Sequence, residues 1–226
     1  MTRLALINPN TSAETTATMV EIARESAAGK ADIVGFTAPF GASLITTPDA
    51  LAESAKAVMA LAPELKGKFD GAIVAAFGDP AVLSLKDALE CPVTGIAEAG
   101  MLKADEHGRA FAVVTTTPRL VEAIAAAADG YGHRENFRGI RLTPGDPAEV
   151  MADPDRLLKA LVIACQEAID QLGAEALIIG GGPLARAARA LQPHFAVPII
   201  EPVPEAVRLA ISRAKGYRLA HLLTGS

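Results

Sequence analysis

Short apolar runs alternate with longer amphipathic stretches along the whole chain, and this alternation constrains the fold more than any other feature. The apolar runs predict strands at Leu4–Ile7, Asp32–Phe36, Ala72–Ala76, Val93–Ile96, Phe111–Thr115, Gly139–Leu142, Ala176–Ile179 and Val197–Ile200. The stretches between them predict helices, from a cap at Thr11 or Ser12 to about Ala28 and over Pro48–Leu61, Leu83–Leu89, Pro118–Ala128, Asp155–Leu172, Leu184–Leu191 and Pro204–Lys215. Such alternation is typical of the α/β class, with parallel sheets covered on both faces.

The second half of the chain repeats the pattern of the first. LALINPNTS pairs with FAVVTTTPR, GAIVAAFGDP with EALIIGGGPLA, and CPVTGI with VPIIEP. We interpret the repeat as an internal duplication. It predicts two pseudo-symmetric αβα lobes with mainly parallel four-stranded sheets, lobe 1 comprising residues 1–97 and 204–226 and lobe 2 residues 98–203.

Polar loops follow the central strands of both predicted lobes. Ligands bind outside the carboxyl ends of parallel strands, so we expect four loops to meet at a cleft between the lobes: Asn8–Ser12, Phe77–Pro80, Thr115–Thr117 and Gly180–Pro183. Their main-chain N–H groups, hydroxyls and helix N-termini suit a small carboxylate or imide. Taken alone, each loop is more typical of an ordinary strand-to-helix turn, whereas the fourfold recurrence favours a site. The predicted ligand-binding residues are Asn10, Thr11, Ser12, Phe77, Gly78, Asp79, Thr115, Thr116, Gly181, Gly182 and Pro183.

Charge and composition argue against several classes of partner. The net charge is −5 and no basic run is present, so we expect no nucleic-acid partner. Gly180–Gly182 lacks the Gly-Lys-Ser/Thr of a P-loop. No apolar run approaches the ~20 residues of a membrane span. A signal-peptide pattern is also missing, and the two cysteines form no CxxC motif. We therefore expect a cytoplasmic protein without membrane contact.

Six motifs occur in one order over nearly the whole chain: INPNTS at 7–12, AAFGDP at 75–80, GIAEA at 95–99, FAVVTTTPR at 111–119, YG at 131–132 and VPIIEPV at 197–203. With them the chain resembles the aspartate/glutamate/hydantoin racemase family, most closely its hydantoin and allantoin racemase branch. The resemblance implies an active site between two lobes, no metal, nucleotide or pyridoxal cofactor, and a homo-oligomer. It also implies that Asn10, Thr11, Thr115 and Thr116 hold the substrate's carboxylate or carbonyl groups.

The resemblance further implies two cysteines, one per lobe, that remove and return a proton at opposite faces of a stereocentre. The corresponding positions here are Ala76 and Gly181, and neither side chain can move a proton. The candidates that remain for an acid or base are Asp79, Glu98 and Glu201. For Asp79 the alternative is a cap on the following helix. For Glu98 and Glu201 it is a hydrogen bond to the backbone.

The remaining titratable groups and one long connection carry weaker expectations. Cys165 lies at a core position of its helix, and Cys91 lies at a strand start away from the cleft. His107 lies in a turn and His194 between a helix and a strand, and His133 and His221 have no ligand-type neighbours in sequence. No metal site is therefore expected. The segment Thr143–Pro154 is rich in Pro, Gly and Asp and predicts either a lid or a plain surface loop.

Three functions remain open. The first is a racemase-family enzyme that acts on a small amino-acid derivative, a hydantoin or a dicarboxylate without the two-cysteine route, by one-base isomerisation, decarboxylation or lyase chemistry. The second is a non-catalytic protein that binds a small anion. The third is a partner-binding protein whose cleft is a relic.

Overall fold

The computed structural model describes residues 1–224, without the side chains of Pro183 and of residues 221–224. The strands are β1 (Thr2–Asn8), β2 (Ala31–Thr37), β3 (Gly71–Val74), β4 (Val93–Gly95), β5 (Phe111–Thr115), β6 (Phe137–Leu142), β7 (Ala176–Ile179) and β8 (Ile199–Ile200). The helices are α1 (Ala13–Ala27), α2 (Pro48–Ala60), α3 (Ala62–Leu65), α4 (Val82–Ala88), α5 (Ile96–Ala104), α6 (Val121–Gly130), α7 (Pro147–Ala152), α8 (Pro154–Leu172), α9 (Ala185–Leu191) and α10 (Pro202–Thr224). Short 3-10 turns cover Pro118–Leu120, Gly182–Leu184 and Gln192–His194.

Within the described range the strands form two four-stranded sheets of identical topology, ordered β2-β1-β3-β4 and β6-β5-β7-β8. Every strand pair is parallel. The predicted α/β class with four-stranded parallel sheets is confirmed. Ile7 pairs with Val74 in the first sheet, and Val114 pairs with Ile179 in the second. The loops that follow the two central strands of each sheet are therefore neighbours at its carboxyl edge.

The chain divides into two compact units. One comprises Met1–Ile45, Asp49–Ala99 and Val203–Ser226, and the other comprises Thr46–Pro48 and Gly100–Pro202. Each has its own apolar core, built on central strands whose residues are buried throughout in β3, β5 and β7. Such continuous apolar runs arise because helices cover both faces of a parallel sheet. The predicted cleft between lobes stays a prediction.

The predicted strands are confirmed to within a few residues, and Ser12 is the cap of α1. The predicted strand Val93–Ile96 is one residue too long, because Ile96 already begins α5. The prediction also missed α5 as a helix. The last helix, expected to end at about Lys215, continues to Thr224.

The segment predicted as a lid or surface loop, Thr143–Pro154, contains α7 and the start of α8. The side chain of Asp146 accepts hydrogen bonds from the first N–H groups of α7, and Asp153 does the same for α8. Each aspartate precedes a proline at the first helical position, where the missing N–H costs nothing. The segment is therefore largely helical and not a loop, and its role as a lid stays a prediction.

No helix within residues 1–224 is long and apolar enough to cross a bilayer.

Candidate active site

In the first unit, the loop after β1 is held by the side chain of Asn8. Its Nδ2 lies 2.8 Å from Asn10 Oδ1, 3.0 Å from the Ser12 carbonyl oxygen and 3.0 Å from Thr16 Oγ1. Asn10 Oδ1 also accepts from the Ser12 N–H at 2.9 Å. The buried amide of Asn8 thus fixes the course of the loop. The Nδ2 group of Asn10 has no hydrogen-bond acceptor among the described residues, which leaves it available to a ligand.

The loop after β3 presents main-chain donors in a row. The Ala75 N–H donates to the Ile7 carbonyl oxygen at 2.8 Å and ends the sheet. The next three N–H groups, of Ala76, Phe77 and Gly78, find no acceptor within the part of the chain that is described. Gly78 has a φ of +137°, a conformation open mainly to glycine. Consecutive free N–H groups of this kind suit an anionic or carbonyl oxygen.

Asp79 fixes this loop by binding the start of another helix. Its carboxylate accepts from the N–H groups of Ala97 at 2.9 Å and Glu98 at 2.7 Å, and the residue is buried. Asp79 therefore caps α5, and not α4, which follows it in sequence. The fit depends on Gly95, since a Cβ there would lie 2.1 Å from the Asp79 carboxylate. Whether Asp79 also acts as an acid or base stays a prediction.

Glu98 forms a two-pronged ion pair with Arg213. The two carboxylate oxygens lie 2.6 and 2.8 Å from the guanidinium nitrogens, a geometry that gives strong, directional binding. Arg213 also donates to the Val93 carbonyl oxygen and to Thr94 Oγ1. The ion pair with Glu98 thus ties α10 to α5, while the other bonds of Arg213 tie α10 to β4. The carboxylate predicted as an acid or base therefore has a structural role.

In the second unit, the loops after β5 and β7 repeat this arrangement with smaller residues. The Gly180 N–H donates to the Val114 carbonyl oxygen at 2.9 Å, as Ala75 does to Ile7. Thr115 Oγ1 donates to the Gly180 carbonyl oxygen at 2.9 Å. The N–H groups of Gly181 and Gly182 have no acceptor among the described residues. A second short row of main-chain donors therefore follows β7.

Two of the predicted ligand-binding residues, Thr116 and Thr11, form hydrogen bonds within the protein. The Thr116 hydroxyl donates to the thioether sulfur of Met151 on α7 at 3.4 Å. Thr11 donates its main-chain N–H to the Ala42 carbonyl oxygen at 3.1 Å. The side chain of Pro183 lies outside the described residues.

Ala76 and Gly181 occupy equivalent positions in the two units. Each is the second residue after its strand, since β3 ends at Val74 and β7 at Ile179. Their backbones differ, because Gly181 has a φ of +146° whereas Ala76 is not among the residues with positive φ. Their distances from the strand ends therefore agree with the equivalence of Ala76 and Gly181 that the sequence repeat predicts.

Glu201 directly follows β8, at the carboxyl edge of the second sheet. Its Oε2 atom is buried and has no hydrogen-bond partner among the described residues. Arg189 Nε lies 3.4 Å from that atom and forms an ion pair with it. The Glu201 side chain retains 24% of its exposure. This carboxylate, unlike that of Asp79, is not occupied by main-chain donors at Oε2.

The chain is similar to known proteins over nearly its whole length. The chain matches the Asp/Glu/hydantoin racemase family over residues 4–210. It belongs to that family. Hydantoin racemase from Pseudomonas sp. (strain NS671) is 27% identical over 212 residues, which are 92% of this chain and 84% of that protein. Hydantoin racemase from Rhizobium meliloti is 29% identical over 213 residues, 91% of this chain and 86% of that protein.

A solved structure points to the same branch of the family. Allantoin racemase from Pseudomonas fluorescens superposes with a TM-score of 0.89 at 30% identity, covering 94% of this chain and 91% of that one. The predicted resemblance to the hydantoin and allantoin racemase-like branch is confirmed.

Neither cysteine of this family member lies at a strand's carboxyl end. Cys91 precedes β4 at its amino end, and burial together with the nearby Asp70 raises the pKa of its thiol to about 11. Cys165 is buried within α8, and burial raises the pKa of its thiol to about 12. Since the thiolate is the reactive form of a cysteine, burial disfavours the reactive form of both residues.

We expect both thiols to react slowly with iodoacetamide at about pH 8 in the folded protein and quickly after denaturation, when the pKa returns to about 8.5. Ionisation is easier in the unfolded chain, so the free energy of unfolding is expected to fall as pH rises from about 9 towards 11. Mass spectrometry of alkylated samples and urea titrations at several pH values check both expectations. Rapid labelling of folded Cys165 would contradict its burial.

The histidines form no metal centre with their neighbours in the described residues, where no group of three or more His, Cys, Asp or Glu side chains is arranged for an ion. His133, which has no ligand-type neighbour in sequence, does pair with Asp105, whose Oδ2 lies 2.5 Å from Nδ1. Asn136 donates to the other carboxylate oxygen at 2.6 Å. The hydrogen bonds of Asp105 to His133 and Asn136 thus hold the turn before β6. The side chain of His221 lies outside the described residues.

A groove of 670 Å³ runs beside α7 and the first turns of α8. Its lining residues come from Pro144 to Ile163. None of the predicted ligand-binding residues lines it.

Sequence reasoning missed Asn8, Arg213 and Arg189. Asn8 carried a signal, because an asparagine that closes an apolar strand and precedes Pro-Asn is suited to hold a turn. The two arginines carried no such signal, since each is one of several on a helix. Their role appears only when the partner carboxylates are placed.

Proposed function

We propose that this family member binds a small hydantoin-like imide or ureide, or a small dicarboxylate, at the carboxyl ends of its central strands. We further propose that it removes a carbon-bound proton with a single base, without the two-thiol mechanism. The observation that carries the proposal is the set of unpaired main-chain N–H groups after β3 and β7. These are the N–H groups of Ala76, Phe77, Gly78, Gly181 and Gly182.

The donors match the chemistry of such ligands. Imide, ureide and carboxylate groups present oxygens that accept hydrogen bonds, and Asn10 Nδ2 adds a side-chain donor to those of the backbone. Removal of a proton beside a carbonyl places negative charge on the carbonyl oxygen. Fixed donors that require no rearrangement stabilise that charge, as in an oxyanion hole. The two relatives named as hydantoin racemases and the one named as an allantoin racemase support this class of ligand.

The absence of the two-thiol route rests on the positions that correspond to the family's cysteines. The resemblance assigns these positions to Ala76 and Gly181, which are equivalent in the two units. The chain's own thiols lie elsewhere, and burial raises the pKa of both. A single base on one face supports proton exchange, isomerisation or decarboxylation rather than racemisation by two partners.

A second candidate function is a non-catalytic protein that binds a small anion. The observation in its favour is that two of the three candidate carboxylates have structural tasks. Asp79 caps α5 with both oxygens, and Glu98 is paired with Arg213. This protein would retain the donors of the strand ends for binding alone.

Proton NMR in deuterium oxide separates the two functions. We expect the wild-type protein to bind at least one of allantoin, aspartate, glutamate or a 5-substituted hydantoin in calorimetry, and to remove its carbon-bound proton faster than a sample without protein. Asn10→Ala is expected to weaken binding, because it deletes a donor. Binding with no exchange above the control would favour the second function. Calorimetry without a binding signal for any compound would contradict both.

A further inference from the structure

Each unit has a carboxylate beyond the carboxyl edge of its sheet, Asp79 in the first unit and Glu201 in the second. The two residues do not occupy corresponding positions of the sequence repeat. In the first unit Thr94 pairs with Ile73, and Gly95 follows it. In the second unit Ile200 pairs with Ile178, and Glu201 follows it. Glu201 is therefore the counterpart of Gly95. The counterpart of Asp79, five residues after the strand, is the buried Leu184.

Because Glu201 does not correspond to Asp79, it does not have the task of capping a helix. Asp79 is needed because α5 begins with N–H groups that lack acceptors in the helix. The helix after Glu201 begins Pro202-Val203-Pro204, and its two prolines have no N–H to satisfy. The carboxylate of Glu201 is therefore not explained by helix capping, whereas that of Asp79 is.

The surroundings of Glu201 suit an acid or base. Its Oε2 atom is buried and accepts no hydrogen bond from the described residues, and an unpaired buried carboxylate oxygen is costly. Its ion pair with Arg189 offsets part of this cost. Because β8 lies beside β7, Glu201 is about 5 Å along the edge from the residues that start the Gly180–Gly182 loop.

We propose that Glu201 is the single base of this protein, an inference that rests on the proposed function. The Glu201 carboxylate, whose side chain is 24% exposed although Oε2 itself is buried beside Arg189, takes the proton from the carbon next to a carbonyl group of the ligand. The electron pair of that C–H bond forms a C=C double bond with the carbonyl carbon, and the π electron pair of the C=O bond moves to its oxygen, where the N–H groups of Gly181 and Gly182 stabilise the negative charge. The protonated Glu201 exchanges with solvent through its exposed part and returns a proton to the same face. The ligand gains deuterium and keeps its configuration.

The test uses one enantiomer of 5-isopropylhydantoin in deuterium oxide, with proton NMR for exchange and circular dichroism for configuration. We expect exchange above the buffer control while the dichroism signal persists. Glu201→Gln is expected to lower the exchange rate by about 100-fold or more, with calorimetric affinity retained. The matched control is Glu205→Gln, which alters a carboxylate in the first turn of α10 that pairs with Arg208 and is expected to retain exchange.

Several outcomes overturn the inference and leave the proposed function distinguishable from it. Exchange that persists in Glu201→Gln shows that another group is the base. A dichroism signal that decays as fast as the proton exchanges shows chemistry at both faces. Binding by the wild type without exchange shows that Glu201 is not a base in a protein that still binds. Failure of the wild type to bind the compound, or any other hydantoin, ureide or dicarboxylate, contradicts the proposed function itself.

Discussion

Gly95→Ala is expected to unfold at a much lower urea concentration than the wild type. The added Cβ would lie 2.1 Å from the Asp79 carboxylate, which is held on its other side by the N–H groups of Ala97 and Glu98. The carboxylate cannot move aside without losing these bonds. Overpacking costs about 1–3 kcal/mol, and hydrogen bonds to a charged group contribute about 1.5–3 kcal/mol, so we expect a loss of about 3–4 kcal/mol. Urea denaturation followed by circular dichroism measures it.

The matched control is Gly216→Ala in the interior of α10. No heavy atom lies within 4 Å of a Cβ built at Gly216, so the methyl group meets nothing. Alanine is the better helix former by about 0.8–1 kcal/mol, and this variant is expected to be slightly more stable than the wild type. If Gly95→Ala were as stable as Gly216→Ala, the Asp79 carboxylate would not occupy the space that the glycine leaves.

Asp79→Ala is expected to destabilise the protein by a similar amount, for the opposite reason. The substitution leaves the N–H groups of Ala97 and Glu98 without their acceptor at a buried helix start, and each unpaired group costs about 1–3 kcal/mol. Alanine is also poorly suited to the φ of +47° at this position, which adds about 1–2 kcal/mol. We expect a total loss of about 3 kcal/mol or more in urea denaturation. Asp79→Asn keeps an acceptor and tolerates the backbone, so its loss should be smaller.

An exposed cap of the same kind serves as the reference for Asp79. Asp146 accepts from the N–H groups of Ala148 and Glu149 at the start of α7, but it is exposed. Asp146→Ala is expected to cost about 1 kcal/mol, because water replaces the lost acceptor. A loss in Asp79→Ala no larger than this would mean that burial adds nothing to the bond. Turnover that vanishes in Asp79→Asn while stability is unchanged would instead make Asp79 a base.

The strands and most helices could be predicted because their signals are local. Apolar runs such as Phe111–Thr115 and Ala176–Ile179 mark buried strands by composition alone, and the repeat of the pattern marks the two units. Ser12 caps α1 from within its own loop. The capping aspartates of α7 and α8 could also be recognised in the sequence, since Asp146 and Asp153 each precede a proline. That signal was obscured by the high content of proline, glycine and aspartate in the segment.

Helix α5 could not be predicted in this way, because its cap is not local. The helix follows β4 without an intervening loop, and its first N–H groups bind Asp79, which lies 18 residues before Ala97. The same holds for the candidate site. Glu98 is paired with Arg213 across 115 residues of sequence, so no motif shows that its carboxylate is occupied. Only the fold separates it from Glu201.

The backbone conformation of Gly181 determines the order in which two cysteines could be introduced at positions 76 and 181 of this chain. A side chain can be added at Ala76 on the existing backbone, whereas Gly181 has a φ of +146°, which side chains rarely adopt, and a Cβ there would contact Leu184 at 3.4 Å. In a laboratory evolution experiment the first thiol is therefore one substitution away. A thiol at position 181 requires that the backbone of the Gly180–Leu184 turn first adopt another conformation. Permissive changes in that turn should appear in selected lineages before a cysteine at the second position does.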